Sequence, residues 1–292
     1  MTAADIVLAG PRHGITISGA QQISSLLFQL IPVWPRLPAT AARHGSTISV
    51  HENRGHWRIS TAQFELEEYD LDDGYMAANA LIGALIAAYV AQGDGLVLIH
   101  AGATVHGGGL VLFLGDNLSG KSTFATVLAA RGRRFFADDR LVLDLAANLP
   151  ASPPIGRSLA IAPKLRLPLP SEADAAYGEF VDGNSVLTWP RMAVLHLGQD
   201  KAAGFGETLP VKAIVQLRRR HHDGQPVLAP VPQPAMVRML LEQLFAPHLS
   251  QRDELSACAK LAGSAALWQL DYASAFAAAD MVISHFGGAA KP

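Results

Sequence analysis

The chain has little charge and almost no cysteine. Of its 292 residues only 16% are charged, and the 23 Lys and Arg residues nearly balance the 25 Asp and Glu residues, which leaves a net charge of −2. There is no long basic run, so the composition gives no reason to expect a nucleic-acid partner. The single cysteine, Cys258, excludes an intrachain disulfide and argues against a cysteine-rich metal site. Cys258 lies in a helical pattern at 254–261, which predicts that its side chain is in the core.

Long hydrophobic runs are also missing, and we expect no targeting segment. The most apolar stretch, residues 76–90, is too short to cross a bilayer and contains Asn79, so we expect a buried, alanine-rich helix and no membrane partner. The first residues lack a basic start followed by an apolar segment, so we expect no secretory signal and a cytoplasmic location. The length of 292 residues allows one large domain or two modest ones, and half of the residues are apolar, which is enough for a sizeable core.

The order of sequence patterns predicts an α/β protein with two domains. Residues 1–75 predict a small N-terminal α+β module, with strands at 15–18, 47–50, 56–59 and 64–67 and a helix at 20–31. Residues 76–292 form the second predicted domain. It starts with a helix at 76–92 and continues through a strand-dense part at 94–145. A proline- and glycine-rich part at 147–234, where we expect loops alternating with strands, precedes a largely helical tail.

Residues 115–122 fit the phosphate-binding pattern G-x-x-x-x-G-K-[ST], and we call them the phosphate loop. An apolar run at 110–114 predicts a buried strand before the loop, and residues 122–130 predict a helix after it. Backbone N–H groups and the helix N-terminus can surround phosphate oxygens, while Lys121 neutralises them and Ser122 ligates Mg²⁺. The expected nucleotide-binding residues are Gly115, Asp116, Asn117, Leu118, Ser119, Gly120, Lys121, Ser122 and Thr123. The alternative is a glycine-rich turn without a ligand.

Asp138 and Asp139, the acidic doublet, follow the predicted loop helix and a short strand pattern. A helix of about ten residues spans about 15 Å, after which the chain can return to the phosphate loop. Phosphoryl transfer needs a metal beside the phosphates and a carboxylate at the attacking hydroxyl, and two adjacent carboxylates could divide these roles. Neighbours on a strand point to opposite faces, so both roles require the backbone to turn there. An exposed Asp-Asp turn is the alternative.

Several weaker candidates lie near these motifs. Arg166 and Arg218 could each stabilise charge on a transferring phosphoryl group, or could simply be surface residues. Asp144 could support a metal site. The basic cluster at 218–222 is typical of a solvated strand end or turn, and the histidines nearby form no metal-ligand pattern.

Together these motifs resemble the catalytic core of HPr kinase/phosphorylase. The matching residues, in the order of that family's motifs, are His100 to Gly102, Gly107 to Gly109, 115–123, Arg131 with Gly132, and Ala137 with the acidic doublet. Thr123 replaces the glutamate that usually follows the loop serine in true HPr kinases. The stretch 163–167 is similar to a wider group of HPr-kinase-like proteins found with peptide-modification clusters. These include the kinases of lasso peptide precursors.

The resemblance implies a phosphoenolpyruvate-carboxykinase-like P-loop nucleotide-binding core that uses ATP and Mg²⁺. In that family's terms Asp138 is the general base, His100 tunes the base, Lys121 holds the phosphates, and Ser122 and Asp139 hold the metal. The implied acceptor is a serine hydroxyl of a peptide or small protein, such as the C-terminal serine of a lasso peptide precursor. A small-molecule hydroxyl acceptor, a nucleotide-binding regulatory switch and a homo-oligomeric state stay open.

Overall fold

The computed structural model describes residues 5–42, 45–61, 73–145, 153–220, 224–246 and 248–287. The chain divides into two compact units, Met1–Leu96 and Val97–Pro292. Both units mix helices and sheets, which confirms the mixed α/β class expected from the sequence.

The first unit contains a four-stranded sheet with the strand order β1-β2-β3-β4. Its elements are β1 (Ile6–Leu8), β2 (Ile15–Ser18), α1 (Ser24–Leu30), β3 (Thr47–Asn53), β4 (His56–Thr61) and α2 (Gly74–Val90), with 3₁₀ turns at Gln21–Ile23 and Ala39–Ala42. The predicted hairpin is present as antiparallel β3 and β4, and the predicted helix at 20–31 is a 3₁₀ turn followed by α1. The predicted strand at 64–67 lies outside the described residues.

Helix α2 is the expected buried, alanine-rich helix. The side chain of Asp73 caps it by accepting a hydrogen bond from the Met76 amide at 2.7 Å, and the helix is buried on most of its surface. It packs against α1 and β4 and belongs to the first unit, whereas the predicted domain boundary after residue 75 would assign it to the second. That boundary stays a prediction. Within the described ranges, no helix combines the length and apolarity needed to span a membrane.

The second unit contains a ten-stranded sheet and a separate three-stranded sheet of order β11-β13-β12. Its helices are α3 (Lys121–Ala130), α4 (Ala175–Asn184), α5 (Gln233–Gln243), α6 (Gln251–Ser264) and α7 (Ala275–Phe286). Its strands are β5 (Leu96–Ile99), β6 (Gly102–His106), β7 (Gly109–Leu114), β8 (Phe135–Ala137), β9 (Leu141–Asp144), β10 (Ile155–Arg157), β11 (Lys164–Arg166), β12 (Ser185–Trp189), β13 (Met192–Leu195), β14 (Thr208–Arg219), β15 (Val227–Pro230), β16 (Leu244–Phe245) and β17 (Ala266–Tyr272).

Strand β7 alternates its side chains between two hydrophobic cores. Leu110, Leu112 and Leu114 face one core, which includes residues of α5 and α6, while Val111 and Phe113 face the other, which includes residues of α3 and α7. A strand that is covered on both faces is apolar throughout, which is the pattern seen at 110–114. Cys258 on α6 is buried in the first of these cores, as predicted, and burial raises the pKa of its thiol to about 11.

Strand directions bring separate parts of the chain to one edge of the large sheet. Strands β7, β14 and β17 are mutually parallel, so their carboxyl ends lie at the same edge. Strand β6 is antiparallel to both β7 and β8, so β8 runs in the same direction as β7. The segments that follow β7, β8, β14 and β17 therefore gather at one edge, where open α/β sheets bind their ligands.

Candidate functional site

The phosphate loop joins β7 to α3, as the sequence predicts. Gly120 has a φ of 91°, a left-handed conformation that glycine adopts without strain, whereas Leu118, with a φ of 70°, adopts a conformation that is uncommon for other residues. Gly120 precedes α3, and no side chain caps this helix end. The first amides of α3 therefore remain available to an anion, and the helix dipole favours one there.

Lys121 is buried within the loop that it follows. Its side chain is mostly covered, and its Nζ donates hydrogen bonds to the carbonyl oxygens of Gly115 at 2.8 Å and Asp116 at 3.2 Å. These bonds place the ammonium group across the loop, where it can neutralise phosphate oxygens.

Tyr272, at the end of β17, contacts the phosphate loop. Its hydroxyl donates a hydrogen bond to the carbonyl oxygen of Ser119. A Cβ atom at Gly120 would lie 2.9 Å from this hydroxyl, which is closer than side-chain atoms tolerate. Gly120 is thus required both by its backbone conformation and by its neighbour.

The acidic doublet follows β8 in a tight turn. Asp139 has a φ of 63°, and the Arg140 amide donates to the carbonyl oxygen of Asp138 at 2.7 Å. This turn removes the alternation of a regular strand, so that both carboxylates line one cleft of about 580 Å³ together with Lys121 and Ser122. The sequence required such a turn if both residues were to act at one site.

The two carboxylates have different surroundings. Asp138 is buried, and its Oδ2 accepts a hydrogen bond from the Lys164 amide at 3.3 Å. Burial raises the pKa of Asp138 to about 6, although the Ser122 hydroxyl acts in the opposite direction. The His100 imidazole, whose Nδ1 lies 3.7 Å from Oδ1 of Asp139, lowers the pKa of that carboxyl to about 2. One acid is therefore poised to exchange a proton, and the other is firmly ionised.

The predicted site residues are brought together, with some changes of partner. The cleft is lined by six of the nine expected nucleotide-binding residues, namely Asn117, Leu118, Gly120, Lys121, Ser122 and Thr123. Gly115, Asp116 and Ser119 shape the loop through their backbones. The imidazole of His100, expected to tune Asp138, lies 3.7 Å from the Asp139 carboxylate. The Ser122 hydroxyl lowers the pKa of Asp138, and its role in holding a metal with Asp139 stays a prediction.

The rest of the cleft lining contains residues outside the phosphate loop and the acidic doublet. Strand β11 contributes Lys164 and Arg166, and the segment after it contributes Pro168, Pro170, Ser171 and Glu172. Burial lowers the pKa of Lys164, which faces both carboxylates of the doublet. Of these residues only Arg166 was a candidate from sequence.

Arg219 lines the cleft, whereas the sequence candidate Arg218 does not. The two are neighbours at the end of β14, and neighbours on a strand point to opposite faces. Arg218 lies with its Nε 3.7 Å from Oδ1 of Asp271, while Arg219 pairs with Glu172 at 3.4 Å. Asp144, the other weak candidate, pairs with Arg157 at 3.4 Å and is not part of the cleft lining.

The cleft fits a nucleotide with a divalent cation. Oδ1 of Asp138 is buried and has no hydrogen-bond partner among the described residues, which is costly unless a ligand, cation or acceptor satisfies it. The uncapped end of α3 and Lys121 suit phosphate oxygens, and the oxygens of Ser122 and the doublet suit Mg²⁺. The described ranges contain no group of three or more His, Cys, Asp or Glu residues arranged for a metal, so phosphate oxygens would have to complete its coordination.

Comparisons with known proteins add little to this geometry. No family model matches the chain, and no curated protein matches it. Among solved structures, the chain is similar to the Hpr(Ser) kinase/phosphatase from Coxiella burnetii, with 14% identity and a TM-score of 0.32. The match covers 64% of this chain and 95% of that one. At this TM-score the similarity carries no argument about fold or function.

Proposed function

We propose that this protein is an ATP-dependent kinase that transfers the γ-phosphoryl group to a hydroxyl, namely a serine of a peptide or small protein. One observation carries the proposal: a single cleft is lined by the phosphate loop with Lys121 and by the buried carboxylate of Asp138. The buried carboxylate has an unsatisfied oxygen, Oδ1, that the hydroxyl of an acceptor could satisfy. The C-terminal serine of a lasso peptide precursor is the specific acceptor that the sequence resemblance suggests.

The residues divide the reaction between them. Loop amides and Lys121 hold the phosphates, and Ser122 with Asp139 would hold Mg²⁺, which neutralises phosphate charge when it is bound. Asp138 accepts the proton of the acceptor hydroxyl, whose oxygen forms a bond to the γ-phosphorus as the bond to the bridging oxygen of ADP breaks. Asp139, kept ionised by His100, would supply the negatively charged ligand of the metal. Positioning and charge neutralisation thus supply most of the rate.

Replacing Asp138 with Asn tests the proposal. Asn cannot accept the proton, so we expect Asp138→Asn to lose transfer from radiolabelled ATP to serine peptides by about 10²- to 10⁴-fold while nucleotide affinity is retained. Asp182→Asn, at an exposed position on α4, is the matched control and should keep full activity.

Other results of the same assay would point elsewhere. Full transfer by Asp138→Asn would contradict the role of Asp138. Label that appears only as inorganic phosphate, whatever acceptor is supplied, would favour a nucleotide-binding switch. Label that is transferred only to small alcohols or sugars would replace the peptide acceptor with a small molecule.

A further inference from the structure

Strand β11 presents two cations to the cleft. Leu165 is buried in the core, so alternation along the strand places Lys164 and Arg166 together on the other face, where both line the cleft. The Lys164 amide binds Asp138, which fixes this end of the strand at the reaction centre. Arg166 lies two residues further along, about 6.6 Å away at 3.3 Å per residue. Arg166 therefore stands beside the reaction centre rather than within it.

The two arginines of the cleft lining differ in their partners. Arg219 pairs with Glu172 at 3.4 Å, so its charge is already balanced. Arg166 is exposed, and within the part of the chain that the structure describes it has no ion pair. A guanidinium that faces a ligand cleft without a counter-ion is suited to bind a carboxylate with two parallel hydrogen bonds.

The surroundings of Arg166 suit a chain segment next to the reacting hydroxyl. Met192 is its partner in the β11–β13 register and also lines the cleft. Pro168 and Pro170 line the cleft just beyond β11, so apolar side chains accompany Arg166 in the lining, and Glu172, the carboxylate that follows them, pairs with Arg219. Extended peptide advances about 3.3 Å per residue, so a carboxylate within two residues of the reacting serine matches the two-residue separation of Lys164 and Arg166 along β11.

We propose that Arg166 is a specificity residue that binds a carboxylate of the acceptor within two residues of the phosphorylated serine. The inference rests on the proposed kinase function and names the chemistry of its acceptor. The carboxylate can be an acidic side chain or the carboxyl terminus of the acceptor, and both place the same planar anion against the guanidinium.

Paired peptides test this inference on the full chain. One pair has serine followed by Asp or by Asn, and the other has a C-terminal serine as the free acid or as the amide. We expect wild type to prefer the carboxylate member of at least one pair by about tenfold in kcat/KM, the size of one charge-assisted hydrogen bond. The preferred pair identifies the source of the carboxylate. Arg166→Gln should bring the ratio to about one while KM for ATP stays unchanged.

The controls separate this inference from the kinase proposal. Arg191→Gln alters an exposed arginine just before β13 that does not line the cleft, and it should keep the preference. Equal transfer to both members of each pair by wild type would overturn the role of Arg166 and leave the kinase standing. A preference that persists in Arg166→Gln would also overturn it. A rise in KM for ATP without any change in peptide preference would assign Arg166 to the nucleotide instead. No transfer to any of the peptides would overturn both proposals.

Discussion

The two parts of the cleft lining are built in different ways. The part that contains the phosphate loop comes from one continuous segment, residues 115–123, and most of its groups are backbone amides and carbonyls. The other part contains side chains from the turn after β8, from β11, β13 and β14, and from the segment after β11. Phosphate is the same in every nucleotide, so a local backbone motif suffices to bind it. An acceptor differs from one kinase to another, so its site needs side chains that can vary.

This contrast predicts that substitutions have separable effects. Changes in the loop should affect nucleotide binding and transfer together. Changes in the other part of the lining, such as those at Asp138 and Arg166, should affect transfer or acceptor choice and leave nucleotide binding intact.

Lys121→Met should produce the largest effect within the loop. Removal of the ammonium group that lies across the loop should lower kcat/KM for ATP by about 10²- to 10³-fold. The reason is that this group stabilises the negative charge that develops on the phosphate oxygens in the transition state. Steady-state kinetics and nucleotide titration measure the change. Lys260→Met, at an exposed position on α6, should have no effect. Normal kinetics in Lys121→Met would show that Lys121 does not neutralise the phosphates of the nucleotide.

Gly120→Ala should have an intermediate effect. Gly132→Ala is the matched control, because Gly132 also has positive φ, at 81°, but a Cβ there would meet nothing within 4 Å. Both variants should lose about 1 kcal/mol in free energy of unfolding from left-handed backbone. Only Gly120→Ala should also weaken nucleotide binding, by on the order of tenfold, because its methyl group displaces Tyr272. Equal nucleotide affinities in the two variants would show that this contact does not shape the loop.

Tyr272→Phe should have the smallest effect. The Ser119 carbonyl loses its donor, which should cost about 1 kcal/mol in free energy of unfolding and raise the nucleotide Kd by a few fold. Tyr177→Phe removes a buried hydroxyl that pairs with Thr126 at 2.8 Å, so it should lose similar stability with unchanged nucleotide affinity. Thermal unfolding and calorimetric titration give both values. An unchanged Kd in Tyr272→Phe would mean that the loop holds its shape without this bond.

The same contrast explains what could be predicted from sequence. Strand β7, the phosphate loop and α3 were predicted closely, because apolar pattern, glycine spacing and helix pattern all lie in one segment. The acidic doublet was recognised as a motif. Its geometry depends on the positive φ of Asp139, which no local pattern indicated.

The residues that were missed come from distant positions. Lys164, Glu172, Arg219 and Tyr272 reach the site through strand order and direction, which single-segment patterns do not contain. Helix α4 was not predicted from the sequence. The prolines before it, and Gly178 and Gly183 within it, are typical of loops and obscure the 3.6-residue spacing of its apolar residues. Its capping residue, Asp174, accepts a hydrogen bond from the Tyr177 amide and was the available signal.

A crystal structure with a non-hydrolysable ATP analogue and Mg²⁺ tests the central claim most directly. We predict that the terminal phosphate lies on the loop amides beside Lys121, with Asp138 facing the phosphorus and room for a hydroxyl oxygen about 3–3.5 Å from it. An analogue bound outside this cleft, or one whose terminal phosphate points away from Asp138, would contradict the account.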